Sequence, residues 1–263
     1  MEAPILVYSW FMIDSHCHLA DKQFNRDLDE VLLRAEEHGV EGMVTIADTL
    51  KESQKCLELA EKYPQIFCTV GVHPHHAKHW QNSDLDRIRS MVASSPKVKA
   101  IGEIGLDYHY DNSPRDVQCE VFRVQLKLAK ELDLPTVVHC RNAIEDIKKI
   151  ICEVKPRKLV LHCCTEVWDD VEDLVNDGYL LGFTGIATYP QAEDIRTVIK
   201  NCPIEQMMIE TDSPYLAPIP HRGKRNEPAY VRQVAILVCK LKGIPLEEVD
   251  RVTTKNTLDF YGI

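Results

Sequence analysis

The 263-residue sequence lacks several features that would assign it to a functional class directly. It has no basic excess, because 41 acidic residues outnumber 31 lysines and arginines and give a formal net charge of −10 at pH 7. This balance excludes a protein that coats nucleic acid through a generally basic surface. No hydrophobic run is long enough to span a membrane. The remaining composition, 44% hydrophobic and 27% charged, is typical of a globular chain with one large domain or two small ones.

The ten cysteines contain no Cys-x-x-Cys pair, which argues against a zinc ribbon or a thioredoxin-type redox site. The first residues, MEAPILVYSWFM, include Glu2 and no basic residue, so they make a poor signal peptide. We therefore expect reduced cysteines and an intracellular protein, cytoplasmic or nuclear and not secreted. Cys17, Cys140 and Cys163 each follow a histidine. If the histidines of these strands face inward, the three thiols face outward and are inert.

A single unit recurs along the chain: a short apolar run, polar residues at its end, and then an amphipathic stretch. The longest helical pattern runs from about Pro114 to Asp133. The polar residues at the ends of eight strand-like runs are 22 to 36 residues apart, a distance that fits one strand and one crossover helix. These residues are His18, Asp48, His73, Glu103, His139, His162, Thr184 and Asp212.

Eight such units predict an α/β fold, a (β/α)8 TIM barrel that spans residues 1–263 as one domain. Residues 1–11 are expected to form an unstructured N-terminal extension. The alternative is a doubly wound open sheet. The chain has no Gly-x-Gly-x-x-Gly turn after its first strand, which makes a dinucleotide-binding fold of that kind the weaker prediction. No linker-like or low-complexity segment divides the chain.

The chemistry of the predicted site follows from histidines and carboxylates at the strand ends. His16 and His18 lie two positions apart, so on a strand they would point to the same face. Taken alone, this pair is equally typical of two buried, hydrogen-bonded histidines. In a barrel, however, the carboxyl ends of all strands meet at the active-site face, and buried polar groups without partners are costly. The convergence therefore predicts a divalent-metal site with these donors: His16, His18, His73, Glu103, His139, His162 and Asp212.

The donors outnumber the four that one zinc ion normally uses. Two ions that share a bridging carboxylate would accommodate the surplus. Such a pair, about 3.5–4 Å apart, can stabilise both oxygens of an in-line displacement at phosphorus and lower the pKa of a shared water.

Six motifs occur in order from about Ile13 to the C-terminus: IDSHCHL, GVHPHHA, AIGEIGLDY, LPTVVHCRNA, GFTGIATYP and IETDSPYLAPIPHRGKRNEPAYV. Together they resemble the TatD-type metal-dependent deoxyribonucleases of the metallo-dependent hydrolase superfamily. The resemblance implies a TIM barrel with two divalent metal ions, zinc by ligand type, with magnesium or manganese as alternatives in activity. It also implies hydrolysis of phosphodiester bonds in DNA by a 3′ exonuclease, with action at abasic sites in some members.

The resemblance also implies roles for individual residues. Asp212 and Glu103 are the predicted catalytic residues, because Asp212 matches the aspartate that binds metal and handles the proton of the attacking water. His73 matches a histidine on the substrate side. The metal ligands it implies are His16 and His18 for the first ion, Glu103 as the bridge, His139 and His162 for the second ion, and Asp212.

DNA is the implied partner, and we expect it to be held at one or two phosphates, with no membrane and no obligate protein partner. Arg141 and Arg222 are the candidates for phosphate contact. Arg222 lies in the basic segment PHRGKRNEP with Lys224 and Arg225, and planar guanidinium groups suit phosphate oxygens. The alternative for this segment is a solvated loop whose arginines pair with Glu227 or Asp111. Four other histidines are interpreted as surface or structural: His75, His76, His79 and His109.

Two other functional classes remain open. An amidohydrolase that acts on a cyclic amide or a base would use the same barrel, but a neutral ring needs no local positive charge. A scaffold protein with an inactive barrel is disfavoured, because donors are present at every expected strand end.

Overall fold

Eight parallel strands form a single barrel in a computed structural model that describes residues 11–263. Each strand pairs with the next in sequence order, and a parallel bridge between Cys17 and Ser213 brings the eighth strand back to the first. The predicted (β/α)8 barrel is thereby confirmed and the open sheet is wrong. The expected extension over residues 1–11 lies outside the described residues except for Phe11. The strands are β1 Met12–Cys17, β2 Val40–Thr45, β3 Ile66–Val70, β4 Val98–Asp107, β5 Thr136–Arg141, β6 Leu159–Leu161, β7 Leu180–Phe183 and β8 Met207–Ile209.

Helices follow the strands and cover the outside of the barrel. The predicted helix between Pro114 and Asp133 is observed at Arg115–Glu131, and its apolar side packs on the sheet. Among residues 11–263, no helix combines the length and the apolar character needed to cross a membrane. The helices are α1 Leu28–Glu37, α2 Leu50–Lys62, α3 Ser83–Ser94, α4 Arg115–Glu131, α5 Ile144–Val154, α6 Trp168–Asn176, α7 Glu193–Asn201, α8 Val231–Lys242 and α9 Leu246–Tyr261.

The hydrophobic core has two parts. The larger part lies between the strands and the surrounding helices, where the apolar stripe of each helix meets the outer face of the sheet. A smaller cluster joins strand residues to the C-terminal end of α9, where Phe260 and Tyr261 are both buried. The Tyr261 hydroxyl donates to the backbone oxygen of Ser15, 3.0 Å away. The chain therefore closes one end of the barrel with its own last helix.

The register of β4 and β5 brings two predicted site residues side by side. Gly105 pairs with His139, and Glu103 lies two residues earlier in β4. Gly105 has a φ of +142°, and a Cβ atom there would lie 2.0 Å from the backbone oxygen of His139. Only glycine permits this approach. Glu103 and His139 therefore lie within their strands, whereas His18, His162 and Asp212 lie just beyond theirs.

Candidate metal centre

A cavity of about 850 Å³ opens at the carboxyl ends of the strands. Its lining includes six of the seven predicted donors and also Arg141. His16 lies beneath it and is fully buried. The donors in the lining are His18, His73, Glu103, His139, His162 and Asp212.

One group of donors gathers around the Nε2 atom of His16. This atom lies 3.3 Å from Nε2 of His18 and 3.4 Å from Oε2 of Glu103. Asp212 Oδ1 lies 3.1 Å from His18 Nε2 and 3.6 Å from His16 Nε2. The two histidines of the His-x-His pair therefore share one face, as predicted from strand alternation.

A second group gathers around the other oxygen of the same carboxylate. Glu103 Oε1 lies 2.9 Å from His139 Nδ1 and 3.5 Å from His162 Nε2. His73, which the resemblance assigned to the substrate side, also lies here, with Nε2 3.6 Å from Glu103 Oε1. Its ring packs edge-on against His139 with centroids 4.6 Å apart. The structure thus places His73 among the donors.

The spacing of these donors fits tetrahedral coordination. Two ligand atoms bound at about 2.0–2.1 Å with a tetrahedral angle lie about 3.3–3.4 Å apart, and the His16–His18 and His16–Glu103 distances agree with that value. The donor set of imidazole nitrogens and carboxylate oxygens is the one that zinc and similar ions prefer. Each oxygen of Glu103 faces a different group, so this one carboxylate contacts donors of both.

The pKa values of the donors are shifted in different directions. Burial disfavours the ionised form of Glu103, but the surrounding imidazoles, His162 first, outweigh it and hold its pKa well below the usual range. Burial likewise opposes protonation of His18 and His139, yet their carboxylate partners raise the pKa of His18 to about 10 and of His139 to about 9. Burial lowers the pKa of His73 well below its usual value. In the metal-free protein, His18 and His139 are therefore protonated at neutral pH and pair with the carboxylates beside them.

The sequence analysis did not identify two carboxylates that contact donor histidines at the ring nitrogen facing away from Glu103. Asp107 Oδ2 lies 3.2 Å from His139 Nε2, and Glu210 Oε1 lies 2.9 Å from His162 Nδ1. Each interaction fixes the ring so that its other nitrogen faces Glu103. Both acids stand at the ends of apolar strand-like runs, Asp107 as the last residue of β4 and Glu210 directly after β8, and a buried carboxylate needs a partner. That signal was present in the sequence, although the partner's identity was not.

Asp212 is held in an unusual backbone conformation. Its φ of +56° lies in the left-handed region, which is uncommon for a residue other than glycine. Its backbone N–H donates to the oxygen of His16 at 2.9 Å, and Asp14 accepts from the backbone N–H of Thr211 at 2.9 Å. These bonds tie the segment after β8 to β1 and aim Asp212 at the donors. Strained conformations of this kind cluster at functional sites.

The remaining candidates divide between the cavity and the surface. Arg141 lines the cavity, and Arg222 lies over the ring of Tyr189, which also lines it. Arg225, in the same basic segment, instead pairs with Asp27 at 2.5 Å. The alternative for the PHRGKRNEP segment paired its arginines with Glu227 or Asp111. In the structure, Glu227 instead binds Arg34 and Asp111 binds Arg115.

Several residues lie in the cavity wall although the sequence did not place them there, among them His75, His109, Cys140 and Cys163. His75, interpreted as surface or structural, lines the cavity and lies 2.9 Å from Asp107 Oδ2 through its Nε2 atom. Cys163 lines it as well, with Sγ 3.4 Å from the Thr184 hydroxyl. The expectation that Cys163 faces the covering helices is wrong, because β6 ends at Leu161 and strand alternation no longer applies.

Comparison with known proteins agrees with this geometry. The family model described as TatD related DNase matches residues 13–262. The chain is 39% identical over 254 residues to the uncharacterized metal-dependent hydrolase YabD of Bacillus subtilis (strain 168), covering 96% of this chain and 99% of that protein. It is 35% identical over 260 residues to the 3′-5′ ssDNA/RNA exonuclease TatD of Erwinia tasmaniensis, covering 96% and 100%.

A solved structure shares the fold across the chain. The crystal structure of YjjV, a TatD homolog from Escherichia coli K12, superposes with a TM-score of 0.91 at 29% identity, covering 97% of this chain and 99% of that one. Since the family model matches nearly every described residue and relatives of 35–39% identity align over almost their full lengths, the chain belongs to the TatD family of metal-dependent hydrolases.

Proposed function

We propose that this protein hydrolyses phosphodiester bonds in DNA, as an exonuclease that acts from 3′ ends and as an endonuclease at abasic sites. The observation that carries the proposal is the position of Glu103, whose two oxygens face two adjoining groups of histidines. A relative of 35% identity that bears the name 3′-5′ ssDNA/RNA exonuclease supports the choice of substrate and polarity. When bound, two divalent ions supply the Lewis acidity that lowers the pKa of water and stabilises charge at phosphorus.

The residues around those ions would act as metal ligands and as a proton acceptor. His16, His18 and Asp212 would hold one ion, His139 and His162 the other, and Glu103 both, with His73 beside the second group. Asp212 lines the cavity, and its carboxylate would accept the proton of the attacking water. The neighbouring histidines, which outweigh its burial, lower its pKa, so it is ionised at neutral pH.

The test is hydrolysis of single-stranded oligonucleotides labelled at either end, by protein loaded with zinc, manganese or magnesium. We expect shortening from the 3′ end. Replacing Asp212 with Asn keeps the side-chain shape but removes the proton acceptor, and general-base catalysis is worth about 10²–10⁴-fold. Near-normal turnover by Asp212→Asn at neutral pH would contradict the assigned role.

Two controls complete the test. Metal analysis of both proteins separates loss of the base from loss of the ions, because the substitution also removes a charged donor. Cyclic amides are assayed in parallel. Hydrolysis of these amides, with every oligonucleotide left intact, would replace the phosphodiesterase assignment with the amidohydrolase one.

A further inference from the structure

Two arginine–tyrosine pairs lie at the mouth of the cavity. The guanidinium carbon of Arg141 lies 5.2 Å from the ring centre of Tyr110, and that of Arg222 lies 4.3 Å from the ring centre of Tyr189. Both tyrosines line the same cavity as the metal donors. Tyr110 is 56% exposed, so part of its side chain is open to solvent.

The two arginines also differ from most others in the protein. Within residues 11–263, ten arginines form ion pairs with carboxylates, whereas Arg26, Arg141 and Arg222 form none. In a chain with 41 acidic residues this leaves one guanidinium group without an ion pair in the cavity wall, that of Arg141, and another against a tyrosine of that wall, that of Arg222. Arginine held against an aromatic face keeps its N–H fork available for a phosphate.

The pairs lie on different sides of the candidate metal centre. Tyr110 follows β4 and Arg141 ends β5, whereas Tyr189 follows β7 and Arg222 follows β8. In the barrel β6 separates them on one side, and β1, β2 and β3 separate them on the other. A ligand that touches both pairs would therefore span the end of the barrel at which the donors lie.

We propose that these two pairs form two nucleotide subsites, one on each side of the scissile phosphate, for an unpaired strand. The proposal rests on the phosphodiesterase function proposed above and deepens it. A base stacks on each tyrosine, and the paired arginine contacts the phosphate beside that base. Stacking of this kind tolerates any sequence, because every base has a π-face.

The arrangement selects against intact duplex DNA. A base in a duplex has both faces covered by its neighbours, so it reaches the tyrosines only after unstacking. Frayed 3′ ends and single strands present such bases without that cost. The two subsites therefore explain how a protein with a net charge of −10 can hold a polyanion without a basic surface.

The experiment compares a short oligothymidylate with an oligomer of the same length built from base-free tetrahydrofuran nucleotides. Binding is measured by fluorescence anisotropy in the Asp212→Asn background and hydrolysis in the metal-loaded protein. Tyr110→Ala and Tyr189→Ala should each weaken oligothymidylate binding about tenfold, since loss of one base stack costs on the order of 5- to 150-fold. The ratio of the affinity for oligothymidylate to the affinity for the base-free oligomer should fall by the same factor. Tyr110→Phe and Tyr189→Phe, which keep the ring, should stay within about twofold.

Arg26→Ala is the matched control for charge. Arg26 is exposed and forms no ion pair within the described chain, but it neither lines the cavity, as Arg141 does, nor lies over a tyrosine of the cavity wall, as Arg222 does. It should leave both oligomers unaffected, whereas Arg141→Ala and Arg222→Ala should weaken both. Hydrolysis of both oligomers with an unchanged preference in the tyrosine-to-alanine variants would overturn the subsites alone. Hydrolysis of neither oligomer by the metal-loaded wild type would overturn the proposed function and the subsites together.

Discussion

Glu103 decides the character of the site at the level of single residues. Its side chain is buried, yet both oxygens lie among nitrogen donors, Oε2 near His16 and Oε1 near His139. A buried carboxylate without compensation would bind a proton, but the imidazoles hold its pKa well below the usual range. Glu103 therefore stays ionised in the metal-free protein and is ready to receive cations.

The histidines of the metal-free protein give a testable linkage between metal and protons. The pKa of His18 is raised to about 10 and that of His139 to about 9, so both carry a proton at pH 7.5. A metal ion binds only the deprotonated nitrogen, so saturation should release roughly two protons per chain from these residues at pH 7.5. Glu103 and Asp212, with lowered pKa values, should release none.

The sign of the pH dependence follows from the direction of these shifts. Raised pKa values favour the metal-free form at low pH, so apparent metal affinity should keep rising from pH 6.5 towards pH 9–10. Unshifted histidines would let affinity level off soon after pH 6.5. Calorimetric titration in buffers of different ionisation enthalpy measures the proton count. Metal uptake at pH 7.5 without net proton release would refute this linkage.

Strand packing supports the site at the level of secondary-structure elements. Gly182 in β7 faces the carboxylate of Glu210, and a Cβ atom there would lie 2.7 Å from both of its oxygens. Glu210 accepts from the backbone N–H of Cys163 at 2.7 Å and lies 2.9 Å from His162. The absence of a side chain at Gly182 therefore makes room for the acid that orients a metal donor.

Replacing Gly182 with Ala should displace Glu210 and loosen His162. We expect metal affinity to fall by about 10–100-fold, the usual loss when the partner of a ligating histidine is removed. Competition with a chromophoric chelator measures this loss. Gly42→Ala is the matched control in another strand, because the atoms nearest to its Cβ would be those of the Ile13 side chain, from 3.1 Å. Equal metal affinity in the two variants would contradict the role of Gly182.

The same elements show what the sequence could and could not predict. The alternation of apolar runs and amphipathic stretches is local, so the barrel and the convergence of its strand ends followed from it. The pairing of Glu210 with His162 joins residues 48 positions apart, and that of Arg225 with Asp27 joins residues 198 apart. Such contacts depend on the register and closure of the barrel, and no local pattern specifies them.

At the scale of the whole molecule, the two ends of the barrel have separate tasks. Phe260 and Tyr261 of α9 fill the end opposite the cavity. Lys99 at the start of β4 donates to the backbone oxygen of Gly262 at 3.1 Å, and Lys158 just before β6 donates to that of Asp259 at 2.6 Å. Stability is therefore concentrated at the amino ends of the strands, and chemistry at the carboxyl ends.

Truncating the side chains of Phe260 or Tyr261 at the end of α9 should lower the free energy of unfolding. Phe260→Ala leaves a cavity among barrel residues and should reduce the free energy of unfolding by about 3–5 kcal/mol. Tyr261→Phe removes only one hydrogen bond and should cost about 0.5–1.5 kcal/mol. Urea titration followed by circular dichroism measures both. A Phe260→Ala protein as stable as Tyr261→Phe would show that α9 does not contribute core packing at this end.

The net charge of −10 sets the last expectation, which concerns how DNA is held. Each phosphate neutralised on a single strand adds about 0.7 to the slope of log affinity against log salt. With Arg141 and Arg222 as the contacts, the slope should be shallow, about −1.4. Anisotropy of labelled single-stranded DNA in the Asp212→Asn background, with metal content verified, gives this slope. Arg222→Ala should bring it to about −0.7, whereas Arg26→Ala should leave it unchanged. A slope that implies six or more phosphate contacts would show that DNA binds to a surface outside the cavity mouth, because two arginines cannot neutralise that many phosphates.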